Sequence, residues 1–471
     1  MPVPVISIAQ THEWEKATWT SGQTEAEVIR RVGLALSKHA LQLTRPGNLI
    51  LILAGAGHNG EDARSAREHL RDRRVDLLDT RNPETDFSRL SALLSLEPAL
   101  IIDGLFGIGI NRPLDSAWRR FIDTINSSRA KVLAVDIPSG LDADSGNPQG
   151  AAIRASVTMT VGAPKKGLLA SAAWPYVGRL EVAADVGLIP CPVASEWAWT
   201  LPADFAGFPP ARCVAGHKGD FGHLALICGS AGYHGAAVLA GRGAQRAQPG
   251  LISLYTHDTA YVPVAAQLQS VMVHPWTTSL ELPKKISAVF IGPGLAAPEL
   301  PDAVRRLAAT LWRQLEAPVI VDASALDWLP QDANAGNGIR VVTPHPGEAA
   351  RLLKTTAVEI QADRAGALRR ISERLGGCWV LLKGHQSLIG RDQGELFVNS
   401  SGNPHLAQGG AGDLLGGYMA GLLCQPALQQ DPLRTIRFAV WQHGAAADRL
   451  QCSRPNWTVE DLANELGGIP S

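Results

Sequence analysis

The chain has 471 residues, 45% of them apolar, which is more than one compact core usually holds, so two domains are expected. With 43 Lys and Arg against 44 Asp and Glu, and no basic run, it lacks the electrostatic footprint of a nucleic-acid or anionic-membrane binder. The start, "MPVPVISIAQTHEWEK", has no basic segment leading into an apolar one, no apolar run nears the ~20 residues of a membrane span, and the six cysteines are scattered without a Cys-x-x-Cys pair. A soluble cytoplasmic protein without a structural zinc is expected.

In chain order, Val28, Val32, Leu36 and Ala40 at four-residue steps predict an amphipathic helix over 24–43. The apolar runs "NLILILAG", "ALIIDGLFG" and "KVLAVDIPSG" then alternate with the helix-like "DARSAREHLRDRR" and "LDSAWRRFIDTI", the pattern of a parallel sheet covered by helices. A stretch rich in Pro, Trp and Ala at 189–212 breaks the rhythm and is read as a linker, dividing the chain into domains 1–200 and 201–471. Beyond it "HLALICGS", "AVFIGPG", "PVIVDAS", "IRVVTPHPGE", "CWVLLKG" and "GELFVN" are further short strand candidates. No fixed-period repeat joins the halves.

Ligands of open parallel sheets bind outside the carboxyl ends of the strands, so the residues after each apolar run carry the functional signal. In the first half these are "GAGHNGED" (55–62), Asp103 with "GLFGIGINRP", and Asp136 with "IPSGLD". If the three strands are neighbours, Asn59, Asp103, Asp136 and Ser139 converge on one crevice. In the second half "GSAGYHGAA" (229–237), "GPGLA" (292–296), "TPHPGE" (343–348), "LKGHQS" (382–387) and "GNPHLAQGGAGD" (402–413) follow strand candidates, so five loops are expected to line one face. Gly409, Gly410 and Gly412 let the backbone offer N–H groups to a phosphate at the start of the next helix. Asp413 at that start is expected to stay ionised, since N–H bonds and the helix dipole favour the charged form. An ionised carboxylate beside a phosphate can accept a proton from a substrate hydroxyl during in-line phosphoryl transfer.

Plainer readings stay open beside these. Asp413 can also be read as an N-cap only and His345 as a turn residue between two prolines, whereas His217 and Lys218 read as ordinary surface charges. Gly416, Gly417 and Gly421 read as permitting close helix packing, and the twelve tryptophans mostly as core and linker residues, with nothing pairing them into a stacking surface.

The second half, through "HKGDFGHLALICGSAGYHGAA", "VFIGPGL", "VIVDASAL", "TPHPGEAARLL", "VLLKG" and "GNPHLAQGGAGDLLGG" in that order, resembles the ADP/ATP-dependent NAD(P)H-hydrate dehydratases, a ribokinase-like family. The first, through "GAGHNGED", "DGLFGIG", "VDIPSGLDADSG" and "APKKGLL", resembles the NAD(P)H-hydrate epimerases, and the two together resemble the bifunctional NAD(P)H-hydrate repair enzymes.

The resemblance implies an α/β fold with a Rossmann-like three-layer α/β/α N-terminal domain and a ribokinase-like α/β C-terminal domain. It implies a substrate, NADH or NADPH that has gained water at the nicotinamide ring, whose R and S forms the first half interconverts and whose S form the second half dehydrates with ADP or ATP and Mg²⁺. Carried onto this chain, the S-hydrate meets Gly235, Ala236, Gly294, His345 and Asp413, and the nucleotide meets Lys383, Gly384, His385, Gln386, Ser387, Gly409, Gly410 and Gly412. The epimerase substrate meets His58, Asn59, Gly60, Glu61, Asp62, Gly107, Ile108, Gly109, Ile110, Asn111, Arg112, Pro113 and the catalytic Asp136, and K⁺ binds through Asn59, Asp103 and Ser139. A homo-oligomer is expected.

Two loops depart from the family pattern. The epimerase loop usually reads Asn-Asn-Gly-Gly-Asp-Gly, whereas His58, Glu61 and Ala63 stand here; a lost positive-φ glycine and an added negative charge are expected to slow R-to-S conversion. In the dehydratase loop Gln408 and Ala411 replace two threonines, leaving the backbone donors and Asp413. The alternatives are a ribokinase-like kinase of a vitamin alcohol, and a dehydratase whose first half serves only as a scaffold.

Overall fold

A computed structural model describes residues 2–110, 112–332 and 334–470. Val3–Trp199 forms one compact unit and the chain from Thr200 onward forms another.

The N-terminal unit is built on six parallel strands in the order Arg74–Asp79, Leu49–Ala54, Leu100–Gly104, Lys131–Val135, Val157–Val161, Arg179–Ala183. Leu49–Ala54 is buried along its whole length because alternate side chains leave on opposite faces and helices cover both. Ile50 and Ile52 pack with Val28, Val32 and Leu36 of helix Glu25–Leu43; Leu51 and Leu53 pack with Phe121, Ile122 and Ile125 of helix Ser116–Asn126. This is the three-layer arrangement. The helix expected over 24–43 is present, with Thr24 as its cap accepting from the Glu27 N–H. Three strands escaped the sequence reading; Arg74–Asp79 is a partly exposed edge, and Val157–Val161 buries two threonines rather than an unbroken apolar run.

One helix lies elsewhere than expected. The segment placed around "DARSAREHLRDRR" runs over His58–Ala66 and ends in a single tight turn at Arg67–His69. His58, Asn59, Gly60, Glu61 and Asp62 are therefore the first turn of a helix capped by Gly57, not a loop before it.

In the C-terminal unit nine strands lie in the order Leu396–Val398, Leu388–Gly390, Trp379–Leu382, Arg340–Val342, Val319–Val321, Ala288–Ile291, His223–Ile227, Leu251–His257, Met272–Trp276. All neighbours are parallel except the two pairings of Leu388–Gly390, each antiparallel. Two reversals restore the direction, so Leu396–Val398 runs with the rest and all five glycine- or proline-bearing loops open on one edge of the sheet. Behind that edge, helix Ala411–Leu423 lies against helix His234–Ala247 with almost no separation: a Cβ on Gly417 would come within 2.0 Å of the Ala240 carbonyl, and one on Gly416 within 2.2 Å of Phe290. These glycines serve packing.

The stretch read as a linker is not a free spacer. Trp197–Trp199 pairs antiparallel with Val3–Pro4 in the N-terminal unit. In the C-terminal unit Phe205 is fully buried, 5.4 Å from the rings of Phe438 and Trp441, and Asp204 pairs with the buried Arg437 guanidinium, which also reaches Thr200. A fragment beginning at 206 would strand a buried cation and lose Phe205, and breaking a buried pair costs about 3–5 kcal/mol. The fragment 200–471 is expected to melt cooperatively, whereas 206–471 should melt many degrees lower or precipitate. Equal melting temperatures would show that this anchor contributes nothing.

Candidate functional site

In the N-terminal unit the strands Leu49–Ala54, Leu100–Gly104 and Lys131–Val135 are neighbours, and the groups after them do converge. The Asn59 amide donates to the carbonyls of Phe106 (2.9 Å) and Val135 (2.6 Å). Asp103, fully buried, accepts from the Ser139 hydroxyl (2.6 Å) and the Ser139 N–H (2.8 Å). Burial pushes the Asp103 carboxyl up to about 6 despite these bonds, and among the described residues no cation pairs with it.

Beside this cluster lies a cavity of about 860 Å³. His58, Asn59, Glu61, Asp62, Gly107, Ile108, Gly109, Ile110, Arg112 and Asp136 line it, together with Trp14, Trp19 and Trp118. These three tryptophans face the cavity as well as the packing around it; Trp118 meets Phe106 edge-on at 4.6 Å. Gly60 and Pro113 are absent from the lining, and Asn111 lies outside the described residues. His58 Nε2 pairs with Glu25 at 2.7 Å.

Asp136 sits at the strand end with φ +61, a conformation few non-glycine residues adopt. Its Oδ1 accepts from Thr160 Oγ1 (3.0 Å), from the Val161 N–H (2.9 Å) and from the ammonium of Lys165, which is 1% exposed. Asp62 is also buried, and burial, then the charges of Asp136 and Glu61, raise its carboxyl well above the usual range. Lys165 was missed by the sequence reading although the run "APKKGLL" contains it; nothing local marks which lysine turns inward.

The helical course of residues 58–66 corrects one expectation. Glu61 has no positive φ, so no glycine is needed there, and only its charge remains as an effect. Glu61→Gln is therefore expected to lower KM for a phosphate-bearing ligand of this cavity several-fold, while Glu61→Gly should add nothing further and lower the melting temperature, glycine costing a helix about 1 kcal/mol. Titration of both variants with the R-hydrate of NADH checks this; a lower KM for the Gly than for the Gln variant would restore the conformational argument.

In the C-terminal unit Gly294, at φ +68, approaches so closely that a Cβ there would lie 3.1 Å from that of Ala236, bringing two of the expected substrate positions together. His345 caps helix Pro346–Leu353, its Nδ1 accepting from Gly347 N (3.0 Å) and Glu348 N (3.4 Å), which leaves Nε2 on the exposed side, 3.4 Å from Glu348. Lys383 directly follows the strand Trp379–Leu382 and bonds Asp322 at 2.8 Å, with Glu348 at 3.9 Å. Gly412, after the left-handed turn at Gly410 (φ +93), comes so near that a Cβ would lie 3.4 Å from the Lys383 ammonium and 4.0 Å from Asp322. Lys383, Gly412 and Asp413 thus meet. Asp322 and Glu348, which complete the cluster, were missed because "VDAS" and "HPGE" each look like a cap or turn in isolation.

Asp413 is not held ionised as expected. Its carboxyl is pushed up to about 7, by burial first and then by Asp322 and Glu348, with Lys383 pulling the other way. Desolvation and two carboxylates outweigh the helix dipole, leaving a base poised near neutrality. Lys383 itself is held more basic than usual: burial opposes its charge, but Asp322 and Glu348 favour it more strongly. It also supplies the cation that the glycine loop lacks.

Among the described residues no helix is long and apolar enough to cross a membrane. A family model described as NAD(P)H-hydrate dehydratase matches residues 224–467, and one described as YjeF-related protein N-terminus matches 75–167. The bifunctional NAD(P)H-hydrate repair enzyme of Gloeobacter violaceus is 32% identical, covering 99% of this chain and 97% of its own; that of Escherichia coli is 35% identical over 74% and 67%. The structure of an ADP/ATP-dependent NAD(P)H-hydrate dehydratase from Bacillus subtilis, co-crystallised with ATP and Mg²⁺, is similar at 30% identity and a TM-score of 0.50, over 56% of this chain and 95% of that one. A ribokinase-like superfamily protein from Enterococcus faecalis shares the fold at 24% identity and a TM-score of 0.50, over 59% and 96%. With two domain matches in the same order and relatives alike from end to end, this chain belongs to the bifunctional NAD(P)H-hydrate repair enzymes.

Proposed function

We propose that the chain repairs hydrated NADH and NADPH, the N-terminal unit interconverting the R and S hydrates and the C-terminal unit dehydrating the S form with ADP or ATP. The observation that carries this is the meeting of Asp413, Lys383, Asp322 and Glu348 beside Gly412, at the edge where five loops open. The S-hydrate is assigned to Gly235, Ala236, Gly294, His345 and Asp413, and the nucleotide to the loop from Lys383 to Ser387 and to Gly409, Gly410 and Gly412.

Hydration of the ring's enamine double bond puts a hydroxyl on the carbon next to the ring nitrogen. Asp413 takes the hydroxyl proton as that oxygen attacks the terminal phosphorus of the nucleotide, whose bond to the bridging oxygen breaks and leaves AMP from ADP, or ADP from ATP. Lys383 and the loop N–H groups offset charge on the transferred group. The phosphate then departs with the carbon–oxygen electron pair, the ring nitrogen's lone pair assisting, and the neighbouring carbon gives up a proton to restore the double bond. Asp322 and Glu348 suit Mg²⁺, which takes one or two carboxylates and fills its shell with phosphate and water, and would neutralise phosphate charge there; among the described residues no three acidic, His or Cys groups form a complete metal cage. Potassium suits the oxygen set of Asn59, Asp103 and Ser139, where the buried Asp103 has hydrogen bonds but no cation among the described residues.

The test is to give the full chain hydrated NADH with and without ADP and Mg²⁺, following the absorbance of the reduced ring and free phosphate. Recovery should require both additions, with one phosphate per NADH. Equal rates without nucleotide would sink the phosphorylation step, and a phosphorylated alcohol without recovered absorbance would point to a kinase.

A further inference from the structure

The N-terminal cavity holds two buried carboxyls in opposite circumstances. Asp136 has three donors on Oδ1, one of them the Lys165 ammonium, and none on Oδ2 among the described residues. Asp62, the fifth residue of its helix, is 8% exposed and makes no hydrogen bond to the described residues, yet it lines the same cavity. A buried carboxyl left without a partner calls for an explanation. A carboxyl paired with an ammonium beside a buried one without such a partner is how a single site can hold an acid and a base at once.

We infer that Asp62 and Asp136 are the acid and the base of an epimerisation that proceeds by loss and re-addition of water at the hydroxyl-bearing ring carbon, with Lys165 as the residue that pairs with Asp136 and positions it. The inference rests on the epimerase reading of this unit. In the R-to-S direction the Asp62 proton goes to the hydroxyl oxygen, the carbon–oxygen bond breaks, and water leaves as the ring nitrogen's lone pair forms a double bond to that carbon. A second water attacks the opposite face; its oxygen forms the new bond and its extra proton passes to Asp136. Proton transfer from Asp136 back to Asp62 through cavity water restores the starting state, and the reverse direction uses the same groups with roles exchanged. Trp14, Trp19, Trp118 and Phe106 line the cavity that would hold the flat cation of the intermediate, and aromatic rings attract cations.

The experiment uses the full chain without nucleotide, so that dehydration is silent, with the R-hydrate of NADH in ¹⁸O-water, separating the two epimers by chromatography and weighing them. The native protein should speed interconversion above the buffer rate, and each S product of the first turnovers should carry one solvent oxygen. Retention of the original oxygen would overturn the mechanism in favour of ring opening. Asp62→Asn should lower the rate ~10²-fold or more with a native melting temperature; a near-native rate overturns its role. Asp136→Asn alone leaves the Lys165 ammonium buried and unpaired, so Asp136→Asn combined with Lys165→Met keeps the charge balanced; that folded pair should be equally slow, and near-native activity would remove Asp136 and Lys165 from the scheme. No acceleration by the native protein is a different result, overturning the epimerase reading itself and the pair with it.

Discussion

Asp413→Asn is expected to lower dehydration of the S-hydrate by ~10²-fold or more while leaving nucleotide affinity near its native value, because asparagine keeps the shape but accepts no proton; the helix loses no cap, since Gly410 holds that position without a side-chain bond. The raised carboxyl adds a pH signature. Native turnover should climb as pH rises through about 7, where Asp413 becomes ionised, and then level. Stability runs the other way. Between an unfolded value near 3.8 and the folded value of about 7, the folded protein holds more protons, so Asp413 makes folding less favourable as pH rises across that window. Asp413→Asn should therefore melt with the native protein near pH 4 and above it at pH 8. Near-native turnover with an unchanged pH profile would remove Asp413 as the base; the N-cap reading is already corrected by the structure, where Gly410 is the cap and Asp413 lies in the first turn.

The second large effect is expected at Lys383. Its ammonium is the group that pulls the Asp413 carboxyl down against burial, Asp322 and Glu348. Lys383→Met leaves three carboxyls without their cation, so the rise of turnover with pH should move above 7, and turnover at pH 7 should fall by ~10²-fold or more. Nucleotide affinity should fall with it, which separates this variant from Asp413→Asn. A purely structural role for Lys383 predicts a lower melting temperature with the pH midpoint in place, so the midpoint is the deciding measurement.

Much of this arrangement is legible in the chain. The strands Leu49–Ala54, Leu100–Gly104 and Lys131–Val135, the helix Glu25–Leu43 and the five loops of the C-terminal unit were found because each is a local pattern: an apolar run, a four-residue period, a glycine after a strand. The start of the helix His58–Ala66 was not, since a segment with two glycines before it and one inside reads as a loop until packing against the sheet favours the helix.

What the sequence by itself determined is therefore the two-part α/β order, which residues follow each strand, and the family those residues resemble. The tertiary structure alone decided which of these groups meet and in what charge state. Asp322 and Lys383 are 61 positions apart, and Lys165 finds Asp136 across 29. No local pattern encodes either pairing. The charge states follow from the same cause: a glycine loop and a helix dipole argue for an ionised Asp413, but the cost of removing a carboxylate from water, with two others beside it, exists only once the fold has closed around them.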